Sequence, residues 1–295
     1  MPLAVVFGEK PEWRRSLTTE LSGPVWRCGM APFRPEAGPP AADLLVPLSL
    51  EDQYAVECWR DRGAAVPALI CPAAVRDLCH DKLAFARRLA AAGLGHLCPP
   101  ILDRLPQGAA GWPVVLKLRQ DAWGANTHIL HDPSEAAPHA AALDDPAWFL
   151  QAHVAGNLEW TTHVLMCAGR PAWMRSVCYD MGAEDAVKGK APGARILRWT
   201  EGAPCPDDCL RVLDAVDLRD GLSRLNYKIT ADGNPLFFEV NPRFGGSLVP
   251  EAAGLLPAYA ACLGLRPPAR NRLRQLGARV TAAAVAAMRP AAPKR

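Results

Sequence analysis

Polar and apolar residues alternate along positions 225–241, LNYKITADGNPLFFEVN, on either side of Asp232-Gly233. A period of two marks a half-buried strand, and Asp-Gly tolerates positive φ at both central positions of a tight turn. The pattern therefore predicts a hairpin with a two-residue loop, in which Ala231 pairs with Asn234 and Asn226 lies opposite Glu239. Phe237, Glu239 and Asn241 then share a face with Asn226, Lys228 and Thr230. Leu225, Tyr227, Ile229, Leu236, Phe238 and Val240 form the core face.

Other periodic stretches lie upstream. Residues 79–94, CHDKLAFARRLAAAGL, predict a helix capped by Asp81 with Leu83, Ala86, Leu89 and Ala90 as its apolar stripe. Residues 112–130 read as a β-branched strand containing Lys117, a turn around Gly124 and a second strand; residues 148–170 read as strand, turn at Gly156, strand. Nearer the start, 3–8 and 66–72 are short strands, 43–59 is a strand followed by a helix, and proline-rich 34–44 is a loop. From about 264 a proline break leads into a basic helix, read as a solvated face, and a frayed end. There is no internal repeat.

Composition narrows the class. Of 295 residues, 50% are hydrophobic and 21% charged, as in ordinary globular enzymes. A formal charge of +3 argues for neither nucleic acid nor membrane as partner. Ten cysteines are scattered without a CxxC, and the closest pair, Cys205 and Cys209, has no second ligand pair. With no secretory leader pattern, reduced thiols in a cytoplasmic protein are expected. No apolar run approaches the roughly 18 residues of a membrane span.

The polar hairpin face gathers Asn226, Lys228, Glu239 and Asn241. Hard oxygen donors beside a cation suit Mg²⁺ held together with phosphate oxygens; the hairpin alone is equally consistent with a merely polar outer face. The continuation, Pro242-Arg243-Phe244-Gly245-Gly246-Ser247, adds an arginine able to fork onto phosphate or carboxylate and glycines that let backbone N–H groups approach an anion.

The segment EVNPRFGGS resembles the magnesium-binding strand and following loop of the ATP-grasp superfamily, and the resemblance extends over about residues 79–250. It implies that Glu239 and Asn241, with Asn226, bind Mg²⁺ (or Mn²⁺) of the ATP complex and that Arg243 contacts the transferred phosphoryl group. Lys82, in the "DK" opening the 79–94 helix, and Lys117 correspond to nucleotide-contacting lysines. Gln151, His153 and Val154 fall at the adenine hinge, Phe149, Leu150 and Val154 would wall the adenine slot, and Glu159 would accept the ribose hydroxyls. Lys228 would supply charge to the phosphates. Arg175 and Lys188 are the candidates for the γ-phosphate and acceptor carboxylate among the cations of 171–201. The chain departs from the family in having one glycine, Gly124, in the phosphate loop, and an amide, Asn226, where many relatives have a carboxylate.

The implied fold is α/β (α+β): a pre-ATP-grasp domain over 1–78, a small lobe over 79–147, a large lobe over 148–263, and a C-terminal helix and tail over 264–295. The implied activity is ligation of a small-molecule carboxylate to an amine, such as an amino acid, through an acyl phosphate with release of ADP and phosphate. Carbamoyl-phosphate-synthase-like phosphorylation and a non-catalytic ATP sensor are the alternatives, and a homodimer is the candidate assembly.

Overall fold

Strands β1 (Leu3–Phe7), β2 (Trp26–Met30) and β3 (Leu44–Val46) form a parallel sheet in the order β2-β1-β3. The computed structural model describes residues 1–266 except 122, 123 and 192, so the basic helix and tail expected at the C-terminus lie, from 267 onward, outside the described residues. Helix α1 (Leu50–Asp61) follows β3 and starts at a capping box, in which Ser49 accepts the Asp52 N–H and Asp52 accepts the Ser49 N–H.

Helices α2 (Ala73–His80) and α3 (Lys82–Ala91) meet at Asp81. Its carboxylate caps α3 by accepting the N–H groups of Leu83 and Ala84, both at 3.0 Å, and also accepts from Arg119. The buried face of α3 is Leu83, Phe85, Ala86 and Leu89, while Ala90, expected in the stripe, is exposed. The helix is rolled to bury the larger ring, as the area dependence of apolar burial favours. Replacing Asp81 with alanine is expected to cost about 1–2 kcal/mol, the range for loss of a cap, read as a lowered urea midpoint.

Strands β4 (Ile101–Leu102), β5 (Val114–Leu118) and β6 (Thr127–Leu130) precede two short helices, α4 (Pro133–Ala136) and α5 (Ala140–Leu143), and then β7 (Trp148–Ala152). These four strands form an antiparallel sheet ordered β4-β7-β5-β6. Val114, Leu116, Leu130 and Leu150 fill the core on one face. Val115, Lys117, Ile129 and Gln151 point to the other.

The largest sheet contains β8 (Leu158–Cys167), β9 (Arg170–Asp180), β10 (Arg195–Glu201), β11 (Gly221–Ile229) and β12 (Pro235–Asn241). All of its pairings are antiparallel, in the order β10-β9-β8-β11-β12. Helix α6 (Pro206–Ala215) lies between β10 and β11 in sequence, and α7 (Ala252–Cys262) closes the described chain. Trp160, Val164, Leu225, Tyr227, Phe237 and Val240 bury one face of the sheet against α2, α3 and α6. The opposite face is graded along β8, from Glu159, Thr161 and His163 to Leu165. Leu165 joins Leu222, Phe244, Leu248 and α7 in a second core completed by Val5, Phe7, Trp13 and Leu17 of the amino-terminal region. Tyr259 of α7 locks this junction, donating to Leu45 O at 2.9 Å and accepting the Leu69 N–H at 2.8 Å. No helix among the described residues is long and apolar enough to cross a membrane.

The hairpin differs from the alternation pattern in an instructive way. Thr230 and Asn234 close a three-residue loop, with the Thr230 N–H donating to Asn234 O at 2.9 Å and Gly233 at φ +83°. The ladder pairs Tyr227 with Phe237 and next Asn226 with Glu239, leaving Phe238 as a bulge. The bulge inserts the residue that the longer loop removed, so Asn226 still faces Glu239. Between loop and bulge, however, the faces are exchanged. Phe237 is fully buried beside Tyr227, Phe238 lines the inter-sheet cavity, and Leu236 leaves the core face. Phe237→Ala should therefore lose about 3–5 kcal/mol of stability. Phe238→Ala should lose about 1 kcal/mol or less, a contrast that paired urea melts would reveal.

Candidate active site

A cavity of about 240 Å³ lies between the four- and five-stranded sheets. Six cationic side chains (Lys82, Lys117, Lys188, Lys228, Arg224, Arg243) and three carboxylates (Asp121, Glu159, Glu239) line it, an excess of positive charge that suits a polyanionic occupant.

One end is apolar. Val115, Ile129, Val154 and Phe238 wall it; Leu150, expected there, faces the small-sheet core, and Phe149 instead lies under Lys117, whose Nζ is 5.2 Å from the ring centroid. Lys228 is placed at this end, its Nζ donating to Val154 O at 3.0 Å and Glu184 O at 3.1 Å. His153 Nε2 also approaches Glu184 O, at 3.3 Å. Gln151 donates to Pro99 O at 2.8 Å and anchors the strand end.

The middle of the cavity is a relay of polar contacts. Glu159 pairs with Lys188 at 3.2 Å, and the Lys188 ammonium also lies 3.9 Å from the Tyr179 ring centroid. Lys188 donates to Thr161 Oγ1, which donates to Asn226 Oδ1 at 2.9 Å. Asn226 Nδ2 and Asn241 Nδ2 donate to Glu239 Oε1 at 2.7 and 2.8 Å. Lys82 Nζ and Arg224 Nη2 each stand 3.8 Å from a Glu239 oxygen. Burial would raise the Glu239 pKa, but Lys82, Arg224 and the two amide donors outweigh it and hold the carboxyl at about 2. Burial, reinforced by Lys82 and opposed by Glu239, pulls Lys117 down to about 8. Burial and the neighbouring Arg224 pull Arg243 down to about 10, and Arg243 makes no ion pair among the described residues.

Two glycines shape the walls. At Gly124, φ +65°, an added Cβ would stand 2.7 Å from Val187 Cγ1 and 3.0 Å from Lys188 O, so the loop after β5 is seated against the 182–191 loop. At Gly246 a Cβ would meet Trp13 Cζ2 at 3.1 Å, which brings Trp13 to the cavity's far end. Gln53 Nε2 donates to Pro242 O beside Arg243.

The structure thus gathers Lys82, Lys117, Gln151, His153, Val154, Glu159, Lys188, Asn226, Lys228, Glu239, Asn241 and Arg243 around one cavity. Arg175 is not among its lining residues. It binds Glu201 at 2.7 Å and Glu251 at 2.8 Å. Arg224, Phe238, Trp13 and Asp121 are cavity residues that sequence reasoning missed. Arg224 could have been found from the alternation, since it lies two residues before Asn226 on the same face.

No family model and no curated protein sequence matches the chain. Solved structures do. The L-amino acid ligase of Bacillus licheniformis aligns at 14% identity with TM-score 0.54, covering 84% of this chain and 68% of that one. The D-alanine–D-alanine ligase of Bacillus anthracis aligns at 14% identity with TM-score 0.56, covering 90% and 95%. The ATP-grasp ligase PsnB, complexed with a minimal precursor, aligns at 15% identity with TM-score 0.54, covering 88% and 100%. The chain has the ATP-grasp fold.

Proposed function

We propose that this chain is an ATP-dependent carboxylate–amine ligase, working through an acyl phosphate and releasing ADP and phosphate. The observation that carries this reading is the arrangement of Lys82, Lys117, Arg224 and Arg243 around the one Glu239 carboxylate, in the cavity between two antiparallel sheets. Phosphoryl transfer to a carboxylate needs alignment and charge neutralisation and no protein nucleophile.

The apolar end, with Val115, Ile129, Val154 and Phe238, takes the adenine. Lys117 and Lys82 neutralise the phosphates, and Lys188 holds Glu159 in place for the ribose. Arg224 and Arg243 face the phosphoryl group and the acceptor carboxylate. Among the described residues no group of three or more His, Cys, Asp or Glu side chains is placed to hold a metal alone. Mg²⁺ fits such a site when phosphates complete its shell, because it is usually bound through one or two carboxylates plus substrate oxygens. Glu239 and Asn241 would hold it, and when bound it supplies charge neutralisation at the phosphate oxygens.

The carboxylate oxygen attacks the γ-phosphorus, and the bond to the ADP oxygen breaks. The amine nitrogen then attacks the acyl carbon, phosphate departs, and the nitrogen loses a proton. The test is purified protein with MgATP and pooled carboxylates, with and without pooled amino acids, reading ADP, AMP and phosphate. ADP and phosphate that require both pools, and vanish in Glu239→Gln, are expected. AMP and pyrophosphate would overturn the acyl-phosphate route.

A further inference from the structure

The Glu239 carboxylate is used unequally. Oε1 already accepts from two amides, Asn226 Nδ2 at 2.7 Å and Asn241 Nδ2 at 2.8 Å. Among the described residues, Oε2 has only the distant Lys82 ammonium, at 3.8 Å. The orientation of the Asn226 amide follows from its other partners. Thr161 Oγ1 accepts from the Lys188 ammonium and donates its own proton to Asn226 Oδ1, 2.9 Å away. That leaves the NH₂ end of Asn226 facing Glu239. The Asn226 oxygen is thereby occupied by the Thr161 proton, whereas Asn241, whose NH₂ faces the same Oε1, keeps its Oδ1 without a hydrogen-bond partner among the described residues.

We infer that this site takes a single divalent cation with each bound nucleotide, held from the protein side by Glu239 and Asn241, and that Asn226 is a positioning residue and not a metal ligand. The inference rests on the MgATP reading above and concerns how many ions accompany the nucleotide. Charge supports it independently of the amide. A second divalent ion would have to share the Glu239 carboxylate, and the groups that crowd that carboxylate are instead Lys82 and Arg224, each 3.8 Å from its oxygens. Those two ammonium and guanidinium groups already bring positive charge beside Glu239.

The experiment is equilibrium dialysis of the full chain against Mn²⁺ and the non-hydrolysable analogue AMP-PNP, counting manganese and nucleotide retained by the protein at saturation. One Mn²⁺ per bound nucleotide is expected for the wild type, and one again for Asn226→Ala, with unchanged circular dichroism as the check on folding. Asn226→Asp, which supplies the missing anion, is expected to raise the count to two. Two ions on the wild type would overturn the inference, as would a fall to zero in Asn226→Ala, which would make Asn226 a ligand. A count of one in Asn226→Asp would overturn the assignment of the missing ligand to this position. Failure to retain AMP-PNP at any Mn²⁺ concentration would overturn the nucleotide reading itself, an outcome distinct from a wrong metal count.

Discussion

Glu239→Gln is expected to lower ATP turnover by about 10³-fold, the scale of losing a preorganised electrostatic group at a transferring centre, and to destabilise the nucleotide-free protein as well. Burial alone would raise this carboxyl's pKa, yet Lys82, Arg224 and the amides of Asn241 and Asn226 bring it from 4.5 down to about 2. A depressed carboxyl contributes stability that is fully present above its unfolded pKa and is lost as pH falls through its folded value. The shift from 4.5 to about 2 corresponds to about 3 kcal/mol at neutral pH. The glutamine variant should forfeit an amount of that order, because the nearby cations then face no carboxylate. Below pH 2 the two proteins should be equally stable. Urea melts of both across pH 3–7, with and without ATP, check this, since the nucleotide's negative charge should restore part of the loss. Equal midpoints at pH 7 without nucleotide would show that Glu239 does not balance these cations.

Lys117→Met should have the opposite sign in stability and the same sign in function. Burial pulls the Lys117 ammonium from 10.5 to about 8, so at pH 7 the folded protein holds a charge that the unfolded chain would hold more cheaply, by about 3 kcal/mol. That cost is present below pH 8 and disappears as pH rises toward 10.5. Wild-type stability should accordingly climb across this window, and the methionine variant, already relieved, should not follow. At pH 7 the variant is expected to gain up to about 3 kcal/mol while its affinity for MgATP falls about 10²-fold, the size expected when one partner of a buried charge pair is removed. In the wild type, kcat/KM for ATP should decline above pH 8 as Lys117 loses its proton. A variant less stable than the wild type would show that the lysine's packing on Phe149 outweighs the burial of its charge. Stability bound up in this way is common where a site is built for an absent ligand.

How much of this was legible beforehand can be judged residue by residue. The strand carrying Glu239 and Asn241 and the loop with Arg243 announce themselves, because period-two alternation and the glycines act locally. The register of the hairpin was readable only as a sum. A two-residue loop and a three-residue loop with a bulge both set Asn226 opposite Glu239, and only side-chain packing decides between them, so the roles of Phe237 and Phe238 could not be separated. Arg175 shows a different barrier. Its partners Glu201 and Glu251 are 26 and 76 residues away along the chain, and no local pattern connects them. Trp13 reaches the cavity from the other end of the sequence for the same reason.

The core that joins the amino-terminal sheet to Phe244, Leu248 and α7 sets a timetable for the nascent chain. Val5, Phe7 and Trp13 leave the ribosome long before residues 244–260, which complete the surface that covers them. At ordinary elongation rates the interval is on the order of 10–50 s. During it the parallel sheet shows an uncovered apolar side to every chaperone and every neighbouring chain. Yield in the cell should thus depend on how fast the codons between Trp13 and residues 244–260 are translated, and a run of slow codons there should lower the amount of soluble protein.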